Sequence, residues 1–178
     1  MDDRTAVVAT TERLVIRPWT EHDAEALFDI YSRWEVARWL GATPQALESL
    51  DQAVRRAERW ASLGEADPTY GVWCLTLRRS GLPVGTVLLL PLAGGEVDGE
   101  VEVGWHLHPD HWGHGYATEA ARAAIGRGID AGLDHVLAVV NPDNHPSQAV
   151  CRRLGMEHIG RTDRYYGMPL EVFRTDSV

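Results

Sequence analysis

Lysine is absent from this 178-residue chain, and all 17 of its Lys-plus-Arg residues are arginine. That excludes Schiff-base catalysis by lysine, and it excludes a Walker-type loop, whose lysine grips phosphates. Cysteine is scarce: Cys74 and Cys151 are the two present. Two are too few for a disulfide framework or a zinc ribbon, and they suit a reducing compartment. No apolar run approaches the roughly 18 residues that span a bilayer. The start, Met1-Asp2-Asp3-Arg4, has neither the basic nor the apolar stretch of a signal peptide. A cytoplasmic protein with no membrane partner is therefore expected. Positive charge is in deficit, since 26 acidic residues against 17 basic ones give a formal net charge of -9. Such a balance argues against a nucleic-acid partner and for a neutral or cationic one. With 44% hydrophobic and 24% charged residues the composition is that of a folded globular protein. The length suits one domain over 1–178 with a polar leader at 1–10.

Arg13-Leu14-Val15-Ile16-Arg17 reads as a strand that stops at Pro18. Thr20 caps a helix with Asp23 at its third position, and Ala24, Leu27, Phe28, Tyr31 and Trp34 recur at three-to-four spacing. Thr43-Pro44 opens a second helix whose apolar stripe, Leu47, Leu50, Val54, Ala57 and Ala61, runs to Gly64. The pattern then turns strand-like over 71–77, 84–90 and 100–107, the first two joined by a turn at Ser80-Gly81-Leu82-Pro83. A glycine-rich loop over 93–99 precedes the third. An alanine-rich helix over 117–131, a strand over 135–140, a short helix over 147–154 and strands over 157–161 and 170–174 complete the chain. The order is β-α-α-β-β-β-α-β-α-β-β. Its simplest packing is an α/β fold, a mixed sheet of about seven strands with helices on both faces. Seven tryptophans and the apolar run over 87–92 could supply a homodimer face, although an internal strand explains the run equally.

Chemistry concentrates in the segment from Leu107 to Ala120, which reads His108-Pro109-Asp110-His111-Trp112-Gly113-His114-Gly115-Tyr116-Ala117-Thr118-Glu119 in between. A strand ends, Pro109 breaks its ladder, two glycines allow a tight turn, and a helix begins. The first turn of a helix leaves N–H groups without intrahelical partners and carries partial positive charge, which suits a pyrophosphate. A dinucleotide fingerprint would want glycine or alanine where Thr118 stands, so that motif does not fit. A glycine turn that merely joins strand to helix is the plain alternative.

Trp112-Gly113-His114-Gly115-Tyr116-Ala117, with Glu119-Ala120 behind it, resembles the acyl-CoA pyrophosphate loop of the GNAT N-acetyltransferases, in the variant of the RimJ/RimL-like ribosomal-protein alanine acetyltransferase branch. Three further segments agree in order and spacing. They are Thr11-Glu12-Arg13-Leu14-Val15-Ile16-Arg17-Pro18, then Asn144-His145-Pro146-Ser147 followed by Arg153-Leu154-Gly155-Met156, and last Tyr165-Tyr166-Gly167 with Glu171-Val172-Phe173-Arg174. The resemblance covers nearly the whole chain. It implies a splayed sheet with acetyl-CoA as cosubstrate, and no metal, in the cleft between the fourth and fifth strands. By motif position it implies that main-chain N–H groups of Gly113, His114, Gly115, Tyr116 and Ala117 bind the pyrophosphate, beside Trp112 and Thr118. Leu107 would pair its backbone with the pantetheine arm, and Asn144 would contact the pantetheine or the acetyl end. Trp112 stands where many members have glutamine or arginine, as is usual in this branch. His114 stands where lysine or arginine is common, so CoA affinity is expected to weaken as it deprotonates.

Transfer to an amine needs a neutral amine, a polarised thioester and a route for the leaving thiolate. The resemblance puts Cys151 where many relatives carry a tyrosine that protonates the thiolate. In mid-helix and without a base, Cys151 reads as core packing. Ser147, the serine of the branch's Asn-x-x-Ser motif, is either the replacement acid or a helix cap beside Pro146. Tyr165 and Tyr166 are further acids or sheet-end packing. Glu102 is the first choice of base, because period-two geometry puts Glu100, Glu102 and Asp98 on one strand face, where repulsion would lift one carboxyl toward neutrality. The alternative is a solvated strand face with a water chain taking the proton. His106, His108, His111 and His114 fall within nine residues, but strand and turn send them in different directions, so no metal site is expected. Trp34, Trp39, Tyr165 and Tyr166 with several acids imply an acceptor pocket for a cationic amine, either a protein N-terminal α-amine or a small amine such as an antibiotic or metabolite. A GNAT fold that binds acyl-CoA without transferring the acyl group, as a sensor, is the rival from another class.

Overall fold

The computed structural model describes residues 7–92 and 99–176. The opening Met1–Arg4 and the loop over 93–98, with Asp98, lie outside the described residues. In chain order the strands are β1 (Ala9–Thr10), β2 (Leu14–Pro18), β3 (Gly71–Leu77), β4 (Pro83–Pro91), β5 (Val101–Leu107), β6 (His135–Val140), β7 (Glu157–Thr162) and β8 (Leu170–Asp176). The helices are α1 (Ala24–Tyr31), α2 (Trp34–Ala37), α3 (Leu50–Ser62), α4 (Tyr116–Asp130) and α5 (His145–Arg153). The fold is the expected mixed α/β sheet, with strand order β1-β2-β3-β4-β5-β6-β8-β7. The strand beyond the expected seven is β1, which lies in the segment read as a polar leader and pairs Ala9 with Ile16 and Thr10 with Val15 at the sheet edge. Two residues are too short a stretch to show period-two patterning.

Thr20 and Asp23 form the expected reciprocal capping box, although the first turn it caps, Glu21–Asp23, is 3₁₀. Arg17 clamps the same carboxylate with two bonds of 2.7 Å, tying β2 to the start of α1. The helix stops at Tyr31, so Trp34 is not part of its stripe. Arg33 is extended (φ -80°, ψ 122°), and Trp34 opens the separate α2 with 55% of its surface exposed. The second long helix begins at Leu50 rather than at Thr43-Pro44. Leu47 donates its N–H to the Tyr31 carbonyl at 2.9 Å, pinning the segment ahead of α3 to α1. The cap falls to Ser49, whose Oγ accepts from Gln52 N–H.

One face of the sheet packs α1 and α3 against Val72, Cys74, Leu88 and Leu90. The other packs the alanines of α4, Ala117, Ala120, Ala121 and Ala124, against Leu75, Val87, Leu89 and Val103. Side chains that small bring the helix axis close to the sheet. The apolar run over 87–92 is interior, since β4 lies between β3 and β5 with Val87 and Leu89 fully buried. Its buried members are core, as an internal strand explains. Among the described residues no helix is long and apolar enough to cross a membrane.

What positions the site is the break between β5 and β6. β4 and β5 pair continuously, from Gly85 opposite Leu107 to Pro91 opposite Val101. The parallel neighbours β5 and β6 meet only at Glu102 and Leu137. Past that rung they diverge, in the place expected for a gap between the fourth and fifth strands once β1 is counted.

Candidate active site

The divergence opens a cleft of about 1080 Å³. Leu107, Trp112, Gly113, Gly115, Tyr116, Ala117 and Thr118 line one wall. Asn144 and Ser147 line the other, and Glu102 sits on the floor.

Main-chain direction along β5 follows from a single bond. His108 N–H donates to the Val84 carbonyl at 3.0 Å, so Val84/His108 is a hydrogen-bonded pair of the antiparallel ladder. The alternation makes Gly85/Leu107 and Val87/Trp105 non-bonded pairs, whose peptide groups point away from β4. Leu107 and Trp105 therefore present N–H and C=O to the gap. The Leu107 carbonyl is already taken, because the indole N–H of Trp112 donates to it at 2.9 Å. Trp112 thus closes the corner between strand and loop and leaves the Leu107 N–H free of that corner.

Gly113 and Gly115 both have left-handed backbones, φ 77° and 80°, which glycine adopts without the steric cost a Cβ brings. Gly115 is the N-cap of α4, and Glu119 N–H to Gly115 O, 3.1 Å, is the bond that opens the helical ladder. The N–H groups of Tyr116, Ala117 and Thr118 ahead of it have no helical carbonyl to meet. Thr118 Oγ1 is a buried atom with no hydrogen-bond partner. A buried hydroxyl without a partner beside a row of free amides fits an anionic phosphoryl group. The His114 ring is not on the cleft. It stacks on Tyr116, with centroids 5.6 Å apart, and its Nδ1 lies 2.8 Å from the Trp112 carbonyl. The structure therefore gives no support to tuning of the phosphates by the imidazole charge.

Sequence reasoning missed what holds this loop. Arg13 donates from Nη1 to the His114 carbonyl at 2.7 Å and from Nε to Glu119 at 2.7 Å. Thr11 Oγ1 and Arg13 N–H also reach that carboxylate, at 2.6 and 2.8 Å. Burial would raise the Glu119 carboxyl, but these partners outweigh it and hold the group below the ordinary glutamate value. Thr11-Glu12-Arg13 and Glu119 belong to two of the segments that resemble the family, yet nothing in a linear sequence says that they touch.

Glu102 is half-buried on β5, and burial lifts its carboxyl to about 7, with the hydrogen bond donated by Tyr166 pulling the other way. The expected cause was repulsion among acids. Instead Glu100 is occupied by Tyr165, whose hydroxyl donates to it at 2.7 Å. Tyr165 is 1% exposed and does not line the cleft, so of the tyrosine pair only Tyr166 faces the site. Ser147 is not the helix cap. Asn144 caps α5, its Oδ1 accepting from Ser147 N–H at 3.2 Å, so the Ser147 hydroxyl is not spent on capping, and Ser147 lines the cleft. Cys151 is fully buried with its thiol pushed up to about 12, and Cys74 is buried too; both are free. Cys151 is core, as its mid-helix place suggested.

The histidines scatter. His106 faces inward, its Nδ1 3.0 Å from the Tyr31 hydroxyl, which also bonds Thr86 at 2.7 Å. Burial, helped by Arg56, brings His106 down to about 4, so the ring is neutral at physiological pH. His108 accepts from Asp110 N–H and lies 3.1 Å from Asp29. Among the described residues no three His, Cys, Asp or Glu side chains gather as a metal site would require.

The acceptor end differs from expectation. Trp39, Trp60, Tyr31 and Tyr166 line it, whereas Trp34 does not. Two acids, Glu35 and Glu102, face this space together with Arg38, Arg56 and Arg59. The expected acidic pocket is therefore mixed in charge. Its arginines were legible as an i, i+3 pair beside the apolar stripe of α3, but only packing shows which way that edge turns.

A sheet split at one rung, with free strand amides running up to a glycine turn at a helix start, is an architecture that can hold an extended ligand with an anionic end. The family model described as the acetyltransferase (GNAT) domain matches residues 13–157, and the chain belongs to the GNAT acetyltransferases. An uncharacterized N-acetyltransferase of Bacillus subtilis, YoaA, is 31% identical over 160 residues, 89% of this chain and 87% of the relative. Among solved structures, the ribosomal L7/L12 α-N-protein acetyltransferase RimL in complex with coenzyme A superposes with a TM-score of 0.79 at 14% identity, covering 96% of this chain and 98% of that one. Mycobacterium smegmatis RimJ, also solved with a CoA disulfide, gives 0.79 at 17% identity over 98% and 88%. At those identities the structures establish the fold. The family's donor is acetyl-CoA and its acceptor an amine.

Proposed function

We propose that this enzyme works in the manner of the RimJ/RimL-like branch, moving the acetyl group of acetyl-CoA to the N-terminal α-amine of a protein by direct attack in a ternary complex. The observation that carries the reading is a carboxyl poised near neutrality on the floor of a cleft whose walls offer free main-chain N–H groups and an unengaged serine hydroxyl. The amides of Gly113, His114, Gly115, Tyr116 and Ala117, with Thr118, hold the pyrophosphate. Leu107 and Trp105 lie along the pantetheine arm, and Asn144 flanks its acyl end. Glu102 takes a proton from the incoming amine as nitrogen bonds to the acetyl carbon. The C–S bond then breaks, and the Ser147 hydroxyl hydrogen-bonds the leaving sulfur and relays it a proton that water returns to the hydroxyl, so the serine ends as it began. The likeness in fold to the α-N-protein acetyltransferase RimL supports the protein acceptor. The two buried free cysteines suit a cytoplasmic setting.

A second reading, a CoA-binding module without transfer, is favoured by the buried cysteine at the position of the common tyrosine acid. A thiol-release assay with acetyl-CoA and a panel of free-N-terminus peptides and small amines separates the two. Transfer predicts turnover that drops by about 10²–10⁴ in Glu102→Gln, the usual span for a general base, and falls also in Ser147→Ala. Tight acetyl-CoA binding with no thiol released on any acceptor would leave the module.

A further inference from the structure

Three arginines face the acceptor end of the cleft with no carboxylate of their own. Arg56 and Arg59 are one helical turn apart on α3, and Arg38 follows α2. Arg13, Arg17, Arg33, Arg161 and Arg174 each hold an acid. Among the described residues none of Arg38, Arg56 and Arg59 does so, and several other arginines, such as Arg78 and Arg122, hold none either, so what sets these three apart is their place at the acceptor end of the cleft. Arg56 is half-buried, its guanidinium 5.2 Å from the ring centre of Tyr31 and 5.6 Å from that of Trp60. Arg38 is exposed and stacks 4.3 Å over Trp39. Burial lowers the Arg56 pKa, Tyr31 opposes that in part, and the like charge of Arg59 adds to it. A half-buried cation, crowded by another and given aromatic faces in place of a counter-ion, is suited to receive an anion.

The anion's place relative to the chemistry follows from contacts. Arg56 lies on Tyr31, the Tyr31 hydroxyl touches His106, and His106 shares the β5 face of Glu102 two pleats away, about 13 Å along the strand. His106 is neutral and Tyr31 un-ionised, so neither competes for the charge. We propose that the acceptor is an amine carrying a carboxylate, held by Arg56 with Arg59 and Arg38 at the rim, while its amine reaches Glu102. The proposal rests on the transfer reading above and narrows its substrate. The separation suits an acidic side chain a few residues into a protein N terminus. An α-amino acid, with amine and carboxylate on one carbon, does not span it. Arginine's planar fork pairs with a carboxylate in two parallel bonds, which fixes orientation as well as charge.

The test uses matched tetrapeptides with a free N terminus and an amidated C terminus, carrying glutamate or glutamine at the second, third or fourth position. In the thiol-release assay one glutamate peptide should show a KM about tenfold below its glutamine twin at similar kcat, the size of one charged interaction of ~1.4 kcal/mol. Arg56→Gln/Arg59→Gln should erase the difference while acetyl-CoA affinity and the melting temperature hold, and Arg56→Lys should restore part of it. Equal kcat/KM within every peptide pair and every pair of ω-amino acid and amide, or a preference that survives the double variant, overturns the proposal. Calorimetric titration of the N-acetylated glutamate and glutamine peptides in the presence of CoA reads the same site without turnover. Preferential binding of the acidic product with no thiol release would sink the transfer reading and keep the anion subsite, whereas indifference there sinks a peptide as its occupant whatever the turnover. Free ω-amino acids of graded length and their amides form the second arm. A preference found only among them keeps the subsite and assigns a small-molecule source in place of a protein N terminus.

Discussion

Replacing Tyr166 by phenylalanine removes one hydroxyl and tests the Glu102 assignment through its pH dependence. Tyr166 is the one non-glycine among the described residues with a left-handed backbone, φ 56°, a conformation a bulky residue keeps only when something holds it. Its hydroxyl donates to Glu102 and so favours the charged carboxylate, against burial, which favours the acid. Without the donor the Glu102 pKa must rise above its value of about 7. A hydrogen bond to a charged group is worth about 1.5–3 kcal/mol, or roughly one to two pK units. Tyr166 is 38% exposed, so water replaces part of what is lost, and about one unit is expected. At pH 7 the ionised fraction then falls from about a half to about a tenth, and kcat/KM with it by about fivefold. The deficit closes as pH climbs past the shifted pKa, because the acceptor amine titrates alike in both enzymes and cancels from the ratio. The assay is kcat/KM against pH for wild type, Tyr166→Phe and Glu102→Gln. An ascending limb that stays in place in Tyr166→Phe, or a loss equal at every pH, refutes the reasoning.

Gly115→Ala forces a Cβ onto φ 80° and sets it 3.3 Å from Arg13 Nη2, at a cost of about 1–2 kcal/mol. CoA affinity measured by calorimetry should weaken roughly tenfold, and an unchanged Kd would show that the loop backbone does not hold the phosphates. Asp23→Asn leaves the Arg17 guanidinium half-buried without its carboxylate, and denaturant melts should show a loss of about 3–5 kcal/mol, the range for breaking such a pair from one side. Burial raises the Asp23 carboxyl, but Arg17 and Thr20 overcome it and set the net value below that of an ordinary aspartate. Its stabilisation is therefore full above the unfolded pKa and lost as pH falls through the lowered one. The acid-side slope of wild-type stability should be steeper than that of Asp23→Asn, and parallel slopes would refute the assignment.

The parts of this protein that could be read from letters are those fixed by local sterics. Gly113 and Gly115 announce a turn that only glycine makes cheaply, the alanines of α4 announce a helix pressed on a sheet, and Thr20 with Asp23 announces a helix start. The misread parts depend on distant partners. Leu47 is drawn to the Tyr31 carbonyl, so Thr43-Pro44 never opens a helix. Trp34 kept the helical period across a backbone that turns extended at Arg33. Glu102 was picked out for a raised carboxyl by counting nearby acids, yet burial is what raises it, and burial is a property of the packed molecule. The clasp of Arg13 on His114 and Glu119 spans about a hundred positions, and nothing in the letters of α3 says that Arg56 and Arg59 border a cleft.

The single rung between Glu102 and Leu137 makes the sheet two panels on one hinge pin, β1 to β5 on one side and β6 to β8 on the other. Each panel ends at the gap in an edge strand with unspent peptide groups, the kind of edge that folded proteins ordinarily cover. A pantetheine arm laid along Leu107 and Trp105 would act as a visiting strand, and the panels would be stitched together only while it stays. The architecture would then be finished by a metabolite. Its rigidity would depend on whether the cleft is filled, a stabilisation set by the concentration of whatever fills it.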